Sequence, residues 1–292
     1  MRRAARLPDF LGIGPGRTGT TWLHDVLAGH AGLPAGVKET EFFTTYYSNG
    51  IDWYLGHFRH CTDMERIGEI CPYFGYSVAR ERVRTHLPRC RFLVTFRDPV
   101  ERTYSHYKLM RRYAWARGSF EEALERNPQI IETTRYATHL ANWFERFGPE
   151  SFLIQLYEDL RDDPQRYVDD ISEFIGISRI ELGASPNLRP DVNTVERAPR
   201  SRRLAQNARH LLTRLKSRRA YRTVNLLERL GAWEFCFGRG EVFTPLSADV
   251  EMRVRARFRD EIDRLEKLIG RDLSAWKAPR DDVRQPRLAT SA

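Results

Sequence analysis

Glycines and threonines crowd around one arginine in the stretch GPGRTGTTWL, from Gly14 to Leu23. A strand-like segment over 9–14 precedes it, and a helix-like pattern follows it. A glycine-rich turn between a strand and a helix exposes backbone N–H groups and directs the positive end of the helix dipole at its ligand. The stretch therefore predicts a phosphate site. Its expected contacts are Gly16, Arg17, Thr18, Gly19, Thr20 and Thr21.

The stretch differs from a nucleoside-triphosphate loop in its cation. Gly14 and Gly19 have the required spacing, and Thr21 stands at the position of the magnesium-binding hydroxyl. Thr20, however, replaces the lysine of that loop, and the only strong cation is Arg17. These differences disfavour a metal-dependent kinase.

A second anion site is predicted farther along the chain, in FLVTFRDP. This apolar run ends in Arg97 and only then in Asp98. A cation at the end of a strand suits an anion better than a metal ion. The sequence thus predicts a ligand with two separate phosphate groups, one near Arg17 and one near Arg97, and no metal site.

Strand-like and helix-like segments alternate around these two sites. This alternation predicts an α/β fold with a mostly parallel sheet covered by helices on both faces. The strand candidates are 9–14, 66–71, 91–96 and 151–157. The helix candidates between and after them are 103–117, 120–126, 136–147 and 163–176, the last with Gly176 as its stop.

The C-terminal part is predicted to be helical apart from a loop over 184–201. A basic amphipathic helix is expected over 200–222, with Leu204, Ala208, Leu211, Leu212 and Leu215 on its apolar stripe. A last helix is expected near 248–269. No domain boundary is evident, so we expect one domain over 1–278 and a disordered tail over 279–292.

Composition restricts the class of protein. The net charge of +9 arises between Arg200 and Arg222, which holds nine lysines and arginines and no acid. A nucleic-acid binder normally spreads its basic face over several elements, so this class is disfavoured. The basic segment is expected either to be a solvated face, to attract an anionic acceptor or to contact acidic lipid heads.

Location is inferred from the same composition. The four cysteines are scattered, which favours reduced thiols. We find neither a secretion signal nor a run long enough to span a membrane. A soluble bacterial enzyme of the cytoplasm, peripheral at most at the inner face of the membrane, is the expectation.

Several motifs resemble those of sulfotransferases that use 3′-phosphoadenosine-5′-phosphosulfate (PAPS). GPGRTGTTWL is similar to their 5′-phosphosulfate loop, and FRDPVERTYSHY, over 96–107, to their 3′-phosphate motif. KETEFF, over 38–43, resembles a segment of the carbohydrate branch that carries a glutamate base. GEICPYF, over 68–74, resembles a further segment. The similarity extends over roughly 10–276 and implies a fold like that of P-loop nucleotide hydrolases, with extra C-terminal helices.

The resemblance implies a role for individual residues. Arg97 and Ser105 are expected to hold the 3′-phosphate, and Arg17 to stabilise the leaving phosphate. Glu39 is expected to take the proton of an acceptor hydroxyl on a carbohydrate, a glycolipid or a small metabolite. Glu41 and His106 are the rival bases.

Other positions stay open at this stage. Trp53 and Tyr54 are expected either to line the acceptor pocket or to pack inside, and Glu69 either to orient a cation or to cap a turn. Asn193 and Arg197 belong to a loop that is expected near the nucleotide. Ile70 departs from the family, which commonly has lysine there.

Overall fold

Four short parallel strands form the centre of the computed structural model, which describes residues 6–61, 64, 66–183 and 195–278. They are β1 (Phe10–Gly12), β2 (Gly68–Ile70), β3 (Arg91–Phe96) and β4 (Phe152–Leu156). All four predicted strands are confirmed. Their order in the sheet is β2-β1-β3-β4, and each neighbouring pair is parallel.

The sheet is largely buried on both faces, and most residues of its strands are apolar. Phe92 and Val94 of β3 pack into one hydrophobic cluster, and Leu93 between them packs into a second cluster on the other face. Side chains of a strand alternate in direction, so one strand supplies both clusters. The predicted α/β fold, with helices on both sides of a parallel sheet, is therefore confirmed.

Helices fill the connections between the strands and most of the C-terminal part. Those in the first half are α1 (Thr20–Leu27), α2 (Ile51–Leu55), α3 (Ser77–His86), α4 (Pro99–Arg112), α5 (Phe120–Arg126), α6 (Gln129–Glu132) and α7 (Tyr136–Phe147). The helices that follow β4 are α8 (Tyr157–Asp162), α9 (Pro164–Ile175), α10 (Arg202–Ser217), α11 (Tyr221–Arg229), α12 (Ala232–Phe237), α13 (Ala248–Ala256) and α14 (Arg259–Ile269).

The strand order creates a crevice between β1 and β3. From β1 the chain crosses outward to β2, whereas β3 lies on the other side of β1 and is followed by β4. Ligands of open parallel sheets bind where the order reverses in this way, beyond the carboxyl ends of the strands. The glycine-rich stretch leaves β1 and Arg97 leaves β3, so both predicted phosphate sites lie at this crevice.

The helix predicted over 103–117 begins and ends earlier than expected. It is α4, which starts at Pro99 because the side chain of Asp98 accepts the amides of Val100 and Glu101. Proline at the first helical position loses no hydrogen bond. The helix ends by Arg112 since Ala114 adopts a positive φ of 58°.

Two predictions for C-terminal helices were wrong. The segment 200–222 forms not one helix but α10 and the start of α11, and 248–269 forms α13 and α14. The stripe predicted for the basic helix also differs. Ala205 and Ala208 are buried, whereas Leu204 and Leu211 are exposed, by 37% and 48%.

Candidate functional site

The glycine loop, residues 14–19, connects the carboxyl end of β1 to α1. Gly19 has a positive φ of 90°, and a Cβ there would lie 3.1 Å from Leu160 Cδ2, so glycine is required. The buried hydroxyl of Thr18 donates to the Pro15 carbonyl at 2.8 Å and closes the loop on itself. Among the described residues, none caps α1 with its side chain. The first amides of α1, from Thr20 onward, are therefore donors for an anion.

Arg17 connects this loop to α4. Its backbone is in the left-handed region, with φ of 80°, and its Nε donates to Ser105 Oγ at 2.9 Å. Burial, and then the positive charge of Arg97, lower the pKa of the Arg17 guanidinium. Like charges in a partly buried crevice repel each other, so an anion bound here relieves that repulsion.

Arg97 lies beside the same crevice, directly after β3. Its Nε and Nη2 donate to Glu101 Oε2 at 2.8 and 2.5 Å, and its guanidinium lies 4.5 Å from the ring centroid of Tyr157. These contacts fix the position of the guanidinium. The structure thus brings Arg17, Arg97 and Ser105 together.

Asp98 has a structural role. Its Oδ1 accepts the amide of Val100 at 2.8 Å, and its Oδ2 accepts Arg255 Nη1 at 2.8 Å. Both Asp98 and Arg255 are buried. The acidic group after β3 is therefore used to begin α4 and to attach α13.

Arg102 is a site residue that the sequence analysis missed. It is buried in α4, where its Nε donates to the Gly16 carbonyl at 3.0 Å. Its Nη1 donates to the hydroxyls of Thr133 and Thr134 at 2.8 and 2.7 Å. Arg102 thereby holds the backbone of the glycine loop against α4. Its place five residues after Arg97 was the only available signal, and it does not distinguish a buried arginine from a solvated one.

Glu39 lies on a loop at the same site. Lys38 Nζ donates to its Oε1 at 2.7 Å, and both side chains are partly exposed. Glu39 is close enough to Arg17 for its charge to raise the pKa of that guanidinium, against the larger lowering by burial. Glu41, in contrast, pairs with Lys216 of α10 at 3.2 Å. The geometry therefore favours Glu39 over Glu41 as the carboxylate that faces the cations.

Glu69 holds the backbone of the loop that carries Glu39. It is fully buried in β2, and its Oε1 accepts the backbone amide of Thr40, the residue after Glu39, at 2.6 Å. The hydroxyls of Tyr54 and Tyr73 donate to its Oε2 at 3.1 and 3.3 Å. Burial raises the pKa of Glu69 to about 7. Glu69 thus positions the loop backbone, a role that neither sequence alternative included.

The sulfotransferase domain family matches residues 7–185, which is more than half of this chain. The chain belongs to the sulfotransferase family. The resemblance found in the sequence motifs is thereby confirmed. The kinase alternative is not favoured.

Relatives of known name agree with this family. The chain is 31% identical to human bifunctional heparan sulfate N-deacetylase/N-sulfotransferase 3 over 196 residues. It is 29% identical to human bifunctional heparan sulfate N-deacetylase/N-sulfotransferase 2 over 198 residues. Each match covers 59% of this chain and 22% of the relative. This sulfotransferase therefore spans about a fifth of the length of these relatives. The chain matches these heparan sulfate enzymes although Ile70 stands where the family commonly has lysine.

A solved structure confirms the fold. The sulfotransferase of Alicyclobacillus acidocaldarius superimposes with a TM-score of 0.65 at 20% identity, and the alignment covers 94% of this chain and 100% of that one. The fold like that of P-loop nucleotide hydrolases, predicted from the motifs, is therefore confirmed.

The structure also places the rival base and the residues whose roles the sequence left open. Burial, then the charges of Arg102 and Arg17, hold the pKa of His106 well below its usual value, which makes it a weak base. Tyr54 is fully buried, so it packs in the core, while Trp53 is only partly buried. Ile70 packs in the second cluster, against Gly12.

The loop predicted near the nucleotide is only partly described. Asn193 lies outside the described residues. Arg197 pairs in an antiparallel bridge with Val242, and Tyr104 of α4 donates to the Thr244 carbonyl, so the segment 242–244 connects this loop to α4. That second segment was not predicted from the sequence, since its partner is more than forty residues away.

Within the described ranges, the side chains of His, Cys, Asp and Glu form no group of three or more that suits a metal ion. Of the helices in those ranges, none is long and apolar enough to cross a membrane. The expected absence of a metal, the cytoplasmic location and the bacterial origin stay predictions, as does the single domain over 1–278. The tail 279–292 lies outside the described residues.

Proposed function

We propose that this sulfotransferase transfers the sulfuryl group of PAPS to an acceptor hydroxyl. The observation that carries the proposal is the 2.9 Å hydrogen bond from Arg17 Nε to Ser105 Oγ. It joins the loop assigned to the 5′-phosphosulfate with the helix assigned to the 3′-phosphate. A donor with phosphate groups at both ends of its ribose fits this pair of sites.

The two phosphates have distinct sets of donors in this proposal. The 5′-phosphate binds the amides at the start of α1, with the hydroxyls of Thr20 and Thr21 as further donors. The 3′-phosphate binds Arg97 and Ser105. Arg102 takes no part in these contacts but fixes the carbonyl side of the loop through Gly16, so that the amides keep their direction.

The transfer step uses Glu39 and Arg17. The acceptor oxygen forms a bond to sulfur while the bond from sulfur to the 5′-phosphate oxygen breaks, with the three atoms in line. Glu39 takes the proton of the acceptor hydroxyl, and the electron pair of the broken bond stays on the phosphate. Arg17, which keeps its charge at every accessible pH, stabilises that developing negative charge.

A carbohydrate is the proposed acceptor class, and a glycolipid or a small metabolite is the alternative. The support is that the named relatives are heparan sulfate N-sulfotransferases. Those names specify transfer to nitrogen, so the acceptor screen should include amino sugars beside hydroxyl sugars.

Thermal unfolding with nucleotides tests the donor. Adenosine 3′,5′-bisphosphate, the product that remains after transfer, should raise the melting temperature by several degrees with or without EDTA. A ligand at 100 times its dissociation constant adds about 2.7 kcal/mol to the free energy of unfolding. The variant Ser105→Ala should show a smaller shift with the bisphosphate and the same shift with adenosine 5′-monophosphate.

A different response of the melting temperature to nucleotides would refute the proposal. A shift only with ATP and magnesium, abolished by EDTA, would identify a triphosphate site. The reaction itself is tested with sulfur-labelled PAPS and a panel of sugars, in which label must move to the acceptor.

A further inference from the structure

The surface that the C-terminal helices present to solvent combines arginines with leucines. Between Arg202 and Arg239 the chain has ten lysines and arginines against two glutamates. The same segment exposes several large apolar side chains. They are Leu204 (37% exposed), Leu211 (48%), Leu226 (56%), Leu230 (71%) and Phe235 (52%).

On α10 the two residue types share one face. Arg203, Leu211, Arg214 and Arg218 follow one another at intervals of three, four or eight residues, which places them on one side of a helix. These four are exposed; Arg218 is the residue that ends the helix. Within the described ranges, none of the three arginines forms an ion pair.

The opposite face of α10 is the one that packs on the protein. Ala205 and Ala208 are buried against Ala114 and Phe237. Lys216 pairs with Glu41, and the Thr213 carbonyl accepts the hydroxyl of Tyr46 at 3.4 Å. The helix is therefore anchored by one face, and its arginine–leucine face is exposed.

The neighbouring helix α11 repeats the pattern. Arg222, Leu226, Arg229 and Leu230 lie at i, i+4, i+7 and i+8, and all four are exposed. This helix contacts α10 and is anchored by Tyr221, whose hydroxyl donates to His57 Nε2 at 2.7 Å. Two adjacent helices thus each expose cations mixed with leucines.

We propose that the arginine–leucine faces of α10 and α11 bind the surface of an anionic lipid membrane. The arginines attract the acidic headgroups, and the leucines beside them insert at the boundary between the headgroups and the acyl chains. A second copy of the chain is a poor occupant because it would bring arginines against arginines. An anionic polymer satisfies the arginines but leaves the leucines in water. This binding goes beyond the proposed sulfuryl transfer and does not depend on it.

Co-sedimentation of the full chain with vesicles tests the proposal. The protein should bind vesicles of phosphatidylcholine with phosphatidylglycerol, bind pure phosphatidylcholine far less, and lose affinity as salt is added. The triple variant Arg203→Glu, Arg214→Glu, Arg218→Glu should bind the anionic vesicles at least about 100-fold more weakly, since each basic residue near an anionic surface contributes roughly fivefold.

Two further variants test whether vesicle binding depends on this surface. One controls for net charge, and the other for a purely electrostatic site that would bind an anionic polymer. Arg59→Glu, Arg84→Glu, Arg89→Glu removes the same charge at exposed positions elsewhere and should keep most of the binding. Leu211→Ser, Leu226→Ser, Leu230→Ser keeps the charge and should weaken vesicle binding by about tenfold or more. Far-ultraviolet circular dichroism and thermal unfolding confirm that each variant is folded.

Three results would overturn the inference. One is equal binding to neutral and anionic vesicles. Another is an equal loss in the matched charge control. The third is full vesicle affinity in the leucine variant, which would indicate an electrostatic site for an anionic polymer such as heparin.

Discussion

Arg17 and Ser105 are 88 residues apart in the chain, yet Arg17 Nε donates a hydrogen bond to Ser105 Oγ at 2.9 Å. The first residue lies in the loop after β1 and the second in the helix after β3. Their contact is possible because these two strands are neighbours in the sheet. The hydrogen bond places the two predicted anion sites side by side in one crevice.

Ser105→Ala should weaken binding of adenosine 3′,5′-bisphosphate by about tenfold or more, since a hydrogen bond to a charged group contributes about 1.5–3 kcal/mol. Isothermal titration calorimetry measures the loss. Adenosine 5′-monophosphate is the control ligand, and its affinity should stay within twofold. An equal loss for both ligands would place Ser105 at the 5′-phosphate instead.

Glu39→Gln should lower kcat by about 10²-fold or more and leave the affinity for the bisphosphate unchanged, because the amide cannot take the acceptor proton. Glu41→Gln is the matched control. It removes the ion pair with Lys216 but no proton acceptor of the site, so kcat should change little. Near-normal turnover in Glu39→Gln would show that another group is the base.

Glu69→Gln should change how stability depends on pH. Burial raises the pKa of Glu69 from 4.5 to about 7. A carboxyl whose pKa is higher in the folded state stabilises the fold fully below its unfolded pKa, and this stabilisation is lost as pH rises through 7. Between pH 5 and 8 the wild type should therefore lose roughly 2–3 kcal/mol of unfolding free energy relative to the variant.

Urea unfolding of both proteins at each pH measures this difference, in which the other titrating groups cancel. A difference that does not vary with pH would mean that Glu69 is ionised throughout. The same variant tests the loop: if Glu69 positions Glu39 through the Thr40 amide, kcat should fall more than the affinity for the bisphosphate changes.

Arg102→Lys should destabilise the protein by about 1–3 kcal/mol, because lysine cannot reproduce the planar set of donors to Gly16, Thr133 and Thr134. It should also weaken bisphosphate binding, since the glycine loop loses its support. Arg112→Lys, on the same helix but paired at the surface with Glu234, is the control and should be near neutral. Unchanged ligand affinity in a destabilised Arg102→Lys would separate the loop support from the nucleotide site.

Sequence reasoning was most successful where local physics decides the outcome. The four strands are short, mostly apolar runs bounded by loops. It was less successful where a helix had to be ended. The boundaries between α10 and α11 and between α13 and α14 have neither proline nor glycine at the break. Arg219, in the first of these breaks, has a positive φ of 55° that nothing in the sequence indicates.

The residues of the site divide in the same way. Arg17, Arg97, Ser105 and Glu39 were predicted because the motifs give their spacing along the chain. Arg102 and the new role of Glu69 were missed, because each acts through a buried contact with a distant segment. The exposed leucines of α10 were also misplaced: the sequence offers two apolar stripes, and only packing of Ala205 and Ala208 selects one.

By itself, the sequence determined the glycine loop, the two cations and the alternation of strands and helices, since each depends on residues that are close together in the chain. The tertiary structure alone decided that β1 and β3 are neighbours, and hence that Arg17 meets Ser105 at one crevice. It also decided which carboxylate is buried. Burial removes water from Glu69 and leaves Glu39 partly exposed beside Lys38, and desolvation by distant segments cannot be read from local spacing.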